Sequence, residues 1–394
     1  VRVLTVALLL VRVAAPEAPP DTPSVEVRYD GTATTQENGD RLERVLESVQ
    51  AGKRVVIHEG TYTVNGRLAV RALGTEKEPV VIEGHGRVVI TRDDDKQNVL
   101  NIEGSWFTLR GLEIRGGSRG LVIGAADHVL VTGCEVHGTG DAAVTANSAD
   151  TSYLSFERNH VHHTGGRGEG FYLGGNNATV VTHHTRVVGN HVHDTGGEQG
   201  DGIELKTGSW ACVISDNVIE RTHYPGILVY GNGGRPERNV IERNVIVGSA
   251  EAGIQVAAEA IVRNNLVIGA KDACIASQPH QGASPRDLTI VHNTLVNEGT
   301  CFRARAWTGE GLVFANNALY SAGTACDGVG PEGNVIVPSL LAFFGLALDG
   351  SARDATPAKG SPLVGGADPR HAVADDLKGA VRAGSVEAGA VDLR

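Results

Sequence analysis

The chain has 394 residues, of which 52 are glycine, 41% are hydrophobic and only 4% aromatic, a balance that suits many tight turns around a core of small aliphatic side chains. Its formal charge of -11 gives no electrostatic reason to expect nucleic acid or an anionic membrane as a partner. Five cysteines, Cys134, Cys212, Cys274, Cys301 and Cys326, include no CxxC pair, which argues against a zinc site, and their odd number leaves at least one unpaired.

Residues 1–18 carry Arg2, an apolar stretch from Val3 to Val11, and small residues at Ala14, Ala15 and Ala18. This pattern reads as a secretory signal, the alternative being an N-terminal strand, and it places the mature protein in a secreted, periplasmic or cell-surface location. No other apolar run reaches the roughly 20 residues of a membrane span. Residues 19–39 read as a linker or N-terminal extension, with PEAPPDTP as a short extended segment. Next, Leu42, Val45, Leu46 and Val49 share one helical face, followed by the strand-like RVVIHEGTYTV; together they predict an N-terminal cap.

From there one pattern recurs. The segments GLVI at Gly120, AVTA at Ala143, GFYL at Gly170, GIELK at Gly202, GILVY at Gly226, GIQVA at Gly253, CIASQ at Cys274 and CFRAR at Cys301 each open, as a rule, on a small residue. Alternation places Phe171 and Leu173, Ile203 and Leu205, Ile227 and Val229, and Ile254 and Val256 in the core. A second register follows Asn159, Asn190, Asn217, Asn244, Asn265, Asn293 and Asn317, spaced 21 to 31 residues apart. An asparagine tolerates a left-handed bend and can hydrogen-bond its counterpart in the next coil, so these residues predict a ladder at a turn. Two interlocked registers predict an all-β fold: a single-stranded right-handed parallel β-helix, or solenoid, of roughly ten coils over residues 40–337, with a short N-terminal capping helix and an irregular C-terminal cap or tail over 338–394 folded on the last coil. Cys274 and Cys301 fall at one repeat position in adjacent coils, where either a disulfide or a stack of reduced residues fits.

On these residues the chain resembles the pectate-lyase-like superfamily of right-handed β-helix proteins, over about residues 40 to 335. GTEKEPVVIEGHGRVVI followed by WFTLRGLEIRGG resembles the entry coils of alginate and chondroitin lyases, and GDGIELKTGSWACVISDNVI is similar to the catalytic coil of polygalacturonases. The resemblance implies an extracellular polysaccharide partner that contains uronate, bound across one outward strand face by a monomer. Fold alone does not set the reaction.

Stacking in register turns equivalent positions into columns. One column holds Glu169, Asp201 and Pro225; the next Tyr172, Glu204, Leu228, Gln255 and Arg303; a third Lys206, Tyr230, Gln278 and Arg305. On the preceding strand and turn lie His137, His162 and His193, with His163 and Asp194 beside them; this column reads as an outward ladder more readily than as metal ligands. A polysaccharide lyase needs the uronate carboxylate neutralised before a modest base can remove the neighbouring proton. Glu169, Asp201 and Glu204, and more weakly Asp194, are the expected oxygen ligands for Ca2+. Lys206 or Tyr230 is the expected base, with Glu204 and Asp201 in the catalytic group, and Tyr172, Gln255, Gln278, Arg303, Arg305 and His163 are the expected substrate contacts. Glu204 beside Lys206 raises the lysine pKa unless a cation takes up the carboxylate charge, so this reading nearly demands a metal.

Two alternatives stand beside it. A glycoside hydrolase of polygalacturonase type would use Glu169 and Asp201, but Tyr224, Pro225 and Gly226 occupy the place of that family's Gly-His-Gly coil. A non-catalytic carbohydrate-binding or surface-structural protein needs only a flat face. A catalytic groove requires Glu204, Lys206 and Tyr230 to converge with an acid from the neighbouring coil.

Overall fold

A computed structural model describes residues 22–382 and 387–393. The expected signal segment 1–18 lies outside them. Each coil is a set of three short strands joined by corners. One coil runs through Arg186–Val188, His191–His193 and Ile203–Leu205, and the next through Val213–Ser215, Val218–Glu220 and Ile227–Val229. Corresponding strands pair in parallel, Ile203 beside Ile227 and His193 beside Glu220. The third strands of successive coils form an 11-stranded parallel sheet, so the solenoid has about eleven turns where roughly ten were expected.

The expected core is the observed one. Phe171, Leu173, Ile203, Leu205, Ile227, Val229, Ile254 and Val256 are all buried in a single apolar column inside the coils. The small residue that opens each strand has a steric cause: a Cβ at Gly170, Gly202, Gly226 or Gly253 would collide with the backbone carbonyl of the coil stacked on it. Bulk there would break the stacking that buries the core.

The asparagines build the expected ladder. Each side-chain amide donates to the next Oδ1: Asn159 to Asn190 at 3.0 Å, Asn190 to Asn217 at 3.0 Å, Asn217 to Asn244 at 2.9 Å and Asn244 to Asn265 at 2.9 Å. The same geometry continues through Asn293 and Asn317 to Asn334, an eighth rung. Each amide also donates to a backbone carbonyl of the preceding coil, as Asn217 does to Val187 at 2.9 Å. Buried polar groups are tolerated when they are this fully paired. The left-handed bend, however, falls one residue earlier than expected, at Arg158, Asp216, Arg243, Asn264, His292 and Asn316, with φ of 53°, 60°, 54°, 56°, 54° and 60°. The asparagine follows the bend and pins it.

Both ends depart from the expected course. Ser24–Val27, inside the segment expected to be a linker, pairs in parallel with Arg54–Ile57 and starts the outer sheet. The capping helix spans Thr35–Ser48, beginning ahead of residue 40, because Thr34 and Glu37 form a reciprocal capping box. It lays Leu42 and Leu46 against the first coil. Gly39 allows this docking, since any Cβ there would meet the carbonyl of Thr63. At the other end, the tail meets the last coil, where Asp368 and Asn316 exchange hydrogen bonds, and runs on along the side of the solenoid. Phe343, Leu346, Ala355, Leu363, Ala388, Ala390 and Val391 pack along the flank, on the outward faces of Val247, Leu266, Ile268, Val296 and Ala318. Those outward apolar residues supply the driving force that pulls the tail sideways.

All five cysteines are free; Cys274 and Cys301 are fully buried, with each thiol directed at backbone carbonyls. No helix among the described residues is long and apolar enough to cross a membrane.

Removing a middle rung of the ladder leaves the side-chain amide and backbone N–H of the preceding asparagine without their acceptor, as Asn190 loses Asn217 Oδ1. Asn217→Ala is expected to lose about 1–3 kcal/mol of stability, and Asn334→Ala, at the half-exposed end rung, distinctly less. Urea unfolding of the two variants beside the parent checks the order; equal losses would mean that the ladder does not act as a connected unit.

Candidate functional site

The columns converge over three coils. Glu169 and Tyr172 come from the coil whose third strand is Phe171–Leu173, Asp201, Glu204 and Lys206 from the next, and Tyr230 from the one after. Pairing places Tyr172 beside Glu204 and Glu204 beside Leu228. Lys206 and Tyr230 follow their strands by one residue, where the chain leaves the sheet.

All six side chains are buried, Tyr172 being the most exposed at 6%. Lys206 Nζ donates to Glu204 Oε1 and lies 3.4 Å from Tyr230 Oη. Tyr230 Oη donates to the same Glu204 oxygen at 2.9 Å. The ammonium sits between two aromatic faces, 4.7 Å from the Tyr172 ring centre and 5.0 Å from that of Tyr230, a favourable place for a desolvated cation. Glu204, Lys206 and Tyr230 therefore meet, together with the neighbouring acids Glu169 and Asp201.

Carboxylates outnumber the lysine. One oxygen each from Glu169, Asp201 and Glu204 lies within 4.8 Å of the other two. Both carboxyl oxygens of Glu169, Oδ1 of Asp201 and Oε2 of Glu204 accept no hydrogen bond from any protein group. Burial, reinforced by the neighbouring Glu204 and Asp141 carboxylates, pushes the Glu169 carboxyl up to about 7. Burial likewise raises Asp201 well above the usual carboxylate range, with Glu204 and Glu169 adding to the shift. The Tyr230 phenol is raised by burial first and by Glu204 second, so it stays protonated. Four unpaired oxygens from three buried acids form a hard, oxygen-only donor set that fits Ca2+ and suits no soft metal.

A cleft of about 380 Å³ opens beside this cluster, lined by Tyr172 and Lys206 together with Arg167, Asn176, Glu198, Gln199, Tyr224 and Gln281. The last six belong to corners and loops and were not foreseen. Arg167, two residues before Glu169 in a glycine-rich turn, is the one the sequence could have pointed to. The His280 ring packs on that of Tyr230 at 4.9 Å.

The remaining expected residues lie elsewhere. Gln255 is buried two strands along the sheet from Glu204, and Arg303 two strands further, roughly 19 Å from Glu204 at the usual strand spacing. Arg303 is paired with Asp272, and Arg305 with Asp327 at 2.6 Å; Gln278 stands beside Arg305, half-buried. Asp194 is not a ligand of the acidic cluster. It is bound by Arg221 at 2.7 and 2.8 Å and by His193 at 2.6 Å, and the Arg221 guanidinium holds its carboxyl far below the usual range. His163 is exposed on the same corner, its ring nitrogen 2.6 Å from His162.

An aromatic column missed by the sequence reading runs along another corner. Trp106 stacks on His128 at 4.0 Å, His128 on Tyr153 at 4.7 Å, and His183 on Trp210 at 4.1 Å. These rings cover one another's faces, so they reinforce the coils.

A family model described as Right handed beta helix region matches residues 65–209 and 99–267, together more than half of the 394. No curated protein matches the chain in sequence. Among solved structures the chain is similar to an alginate lyase from Paenibacillus sp. str. FPU-7, with 20% identity, 79% of this chain and 97% of that one covered, and a TM-score of 0.52. It is also similar to the pectate lyase Pel9A, with 13% identity, 95% and 98% coverage and a TM-score of 0.55. A third, the PL6 family alginate lyase AlyGC, has 13% identity, 93% and 58% coverage and a TM-score of 0.53. At these identities the likeness is one of fold. With stacked coils, asparagine ladder and family match in agreement, the chain belongs to the right-handed β-helix family.

Proposed function

We propose that this protein is an exported polysaccharide lyase that cleaves a uronate-containing glycan by cation-assisted β-elimination. The observation that carries the reading is the meeting of three buried carboxylates, with four unpaired oxygens, and the buried Lys206–Tyr230 pair at the side of an open cleft. The fold shared with alginate and pectate lyases supports the substrate class.

Glu169, Asp201 and Glu204 would hold Ca2+, which when bound supplies positive charge to offset that of a uronate carboxylate. Lys206 Nζ, as the free amine, removes the proton on the carbon bearing that carboxylate. The electron pair forms the carbon–carbon double bond as the bond to the glycosidic oxygen breaks. Tyr230 Oη, kept protonated by burial and by Glu204, delivers its proton to the departing oxygen. The two groups are 3.4 Å apart, close enough to act on one face of the sugar. Of the two expected bases, the raised Tyr230 pKa leaves Lys206 for abstraction. Glu204 holds Lys206 Nζ by a hydrogen bond, which a cation on the carboxylate would loosen. His280 and Tyr172 hold the pair from either side. Gln255, Gln278, Arg303 and Arg305 continue the same sheet and would meet sugars further along the chain.

Hydrolysis requires two carboxyl groups on either side of the bond; here three acids each bring one oxygen within 4.8 Å of the other two, an arrangement suited to gripping one ion. A flat binding face would not need a buried lysine.

Incubation with pectin, alginate, chondroitin, dermatan and heparin-type glycans should give ultraviolet absorbance from unsaturated ends with one of them in Ca2+ and none in chelator. Lys206→Ala should lower the rate at least about 10³-fold and Tyr230→Phe about 10²-fold. Reducing ends without absorbance would replace elimination by hydrolysis. Stability offers a test free of substrate. Glu169 has a folded pKa of about 7 against an ordinary 4.5, so its contribution is full below about pH 4.5 and lost as pH rises through 7. In chelator, the melting temperature should fall from about pH 5 to about pH 8, and Glu169→Gln should flatten that fall; parallel curves would contradict the assignment.

A further inference from the structure

On the sheet face preceding the acidic cluster, two successive strands read His-Val-His: His160–His162 and His191–His193. They pair in parallel, His160 beside His191 and His162 beside His193. Alternation sends Val161 and Val192 into the core and all four imidazoles outward. The rings stack in pairs, His160 with His191 at 5.2 Å and His162 with His193 at 4.9 Å between centres.

Within this grid the nitrogens are aimed. His160 Nε2 and His193 Nε2 are 2.7 Å apart. His193 Nδ1 meets Asp194 Oδ2 at 2.6 Å, and Asp194 is gripped by both donors of Arg221. A carboxylate on Nδ1–H fixes the tautomer and leaves the Nε2 lone pair directed at His160, as in histidines that bind metals. His191 brings a third ring nitrogen within 4.8 Å of the other two. The side chains of His160 and His191 are 41% and 45% exposed, so an ion can enter from solvent.

We propose that His160, His191 and His193 form a second metal site, for a first-row divalent transition ion such as Zn2+. Three imidazole ligands select Zn2+, Cu2+ or Ni2+ over Ca2+ and Mg2+, and the carboxylates beside them, Glu220 at 3.1 Å from His191 Nε2 and Glu135 at 3.5 Å from His160 Nδ1, add negative charge that favours a cation. Metal–nitrogen bonds of about 2.0–2.1 Å require the two Nε2 atoms to part slightly, and the open side leaves the fourth position to water. Glu135, His160 and His162 form another group of potential ligands, but it shares His160 and lacks the arginine-held carboxylate that orients His193. The ion would bind two coils together beside the rung that Asn159 and Asn190 form.

The test is calorimetric titration of the full chain with Zn2+ in millimolar Ca2+, which saturates the acidic cluster. One ion should bind per chain. A His160→Gln/His193→Gln variant should abolish that binding, and Asp194→Asn, which touches no ion, should weaken it about 10- to 100-fold. His85→Gln, at an exposed histidine near the N-terminal end of the solenoid, should change nothing. Circular dichroism establishes that the variants fold. Absence of binding, binding undiminished in the double variant, or affinity unchanged in Asp194→Asn would each overturn the assignment, the last by reducing the site to a histidine patch that nothing orients.

Discussion

Everything in this molecule depends on one constraint: each coil must sit in register on the last, so that a residue stands one strand spacing from its counterpart. The asparagine ladder enforces that register from Asn159 to Asn334, and the glycines that open the third strands permit the close approach. Registration buries the aliphatic column. It also gathers chemistry, because side chains 30 or so residues apart become neighbours on a flat outer face. The three acids, the lysine–tyrosine pair and the histidine grid are all products of that stacking.

The acidic cluster works against stability. Three carboxylates in a buried space repel one another and lose hydration, and a single ammonium compensates only one of them. Without a further cation the site keeps protons instead, which is the meaning of a Glu169 carboxyl at about 7 and a raised Asp201. An apolar trio would stabilise these coils better, so the arrangement points to work done by the charges. The nearby Asp194 shows the contrast: half-buried and held by Arg221, its carboxyl stays ionised.

Much of this was legible in the sequence because a solenoid writes its structure in periodic form. The inward alternation at Ile203 and Leu205, the asparagine spacing, and the columns that unite Glu169 with Asp201 and Tyr172 with Glu204 needed only repeat alignment. What escaped lacks a period. The bend preceding each asparagine is a backbone property carried by Arg, Asp, His, Asn or Gly alike. The tail follows apolar residues such as Leu266 and Ile268 that look outward on one flank, a long-range match with no local signal. Loops of unequal length bring Arg167, Glu198 and Gln281 to the cleft and His280 to Tyr230. Arg303 and Arg305 occupy the expected columns, yet Asp272 and Asp327 claim their charge.

The central claim is that Glu169, Asp201 and Glu204 exchange a proton for a hard cation. Calorimetry of Ca2+ binding near pH 6.5, repeated in buffers of different ionisation enthalpy, counts that proton directly. The account predicts one Ca2+ bound with proton release that disappears in Glu169→Gln. Binding without proton release, or no binding at all, would contradict it.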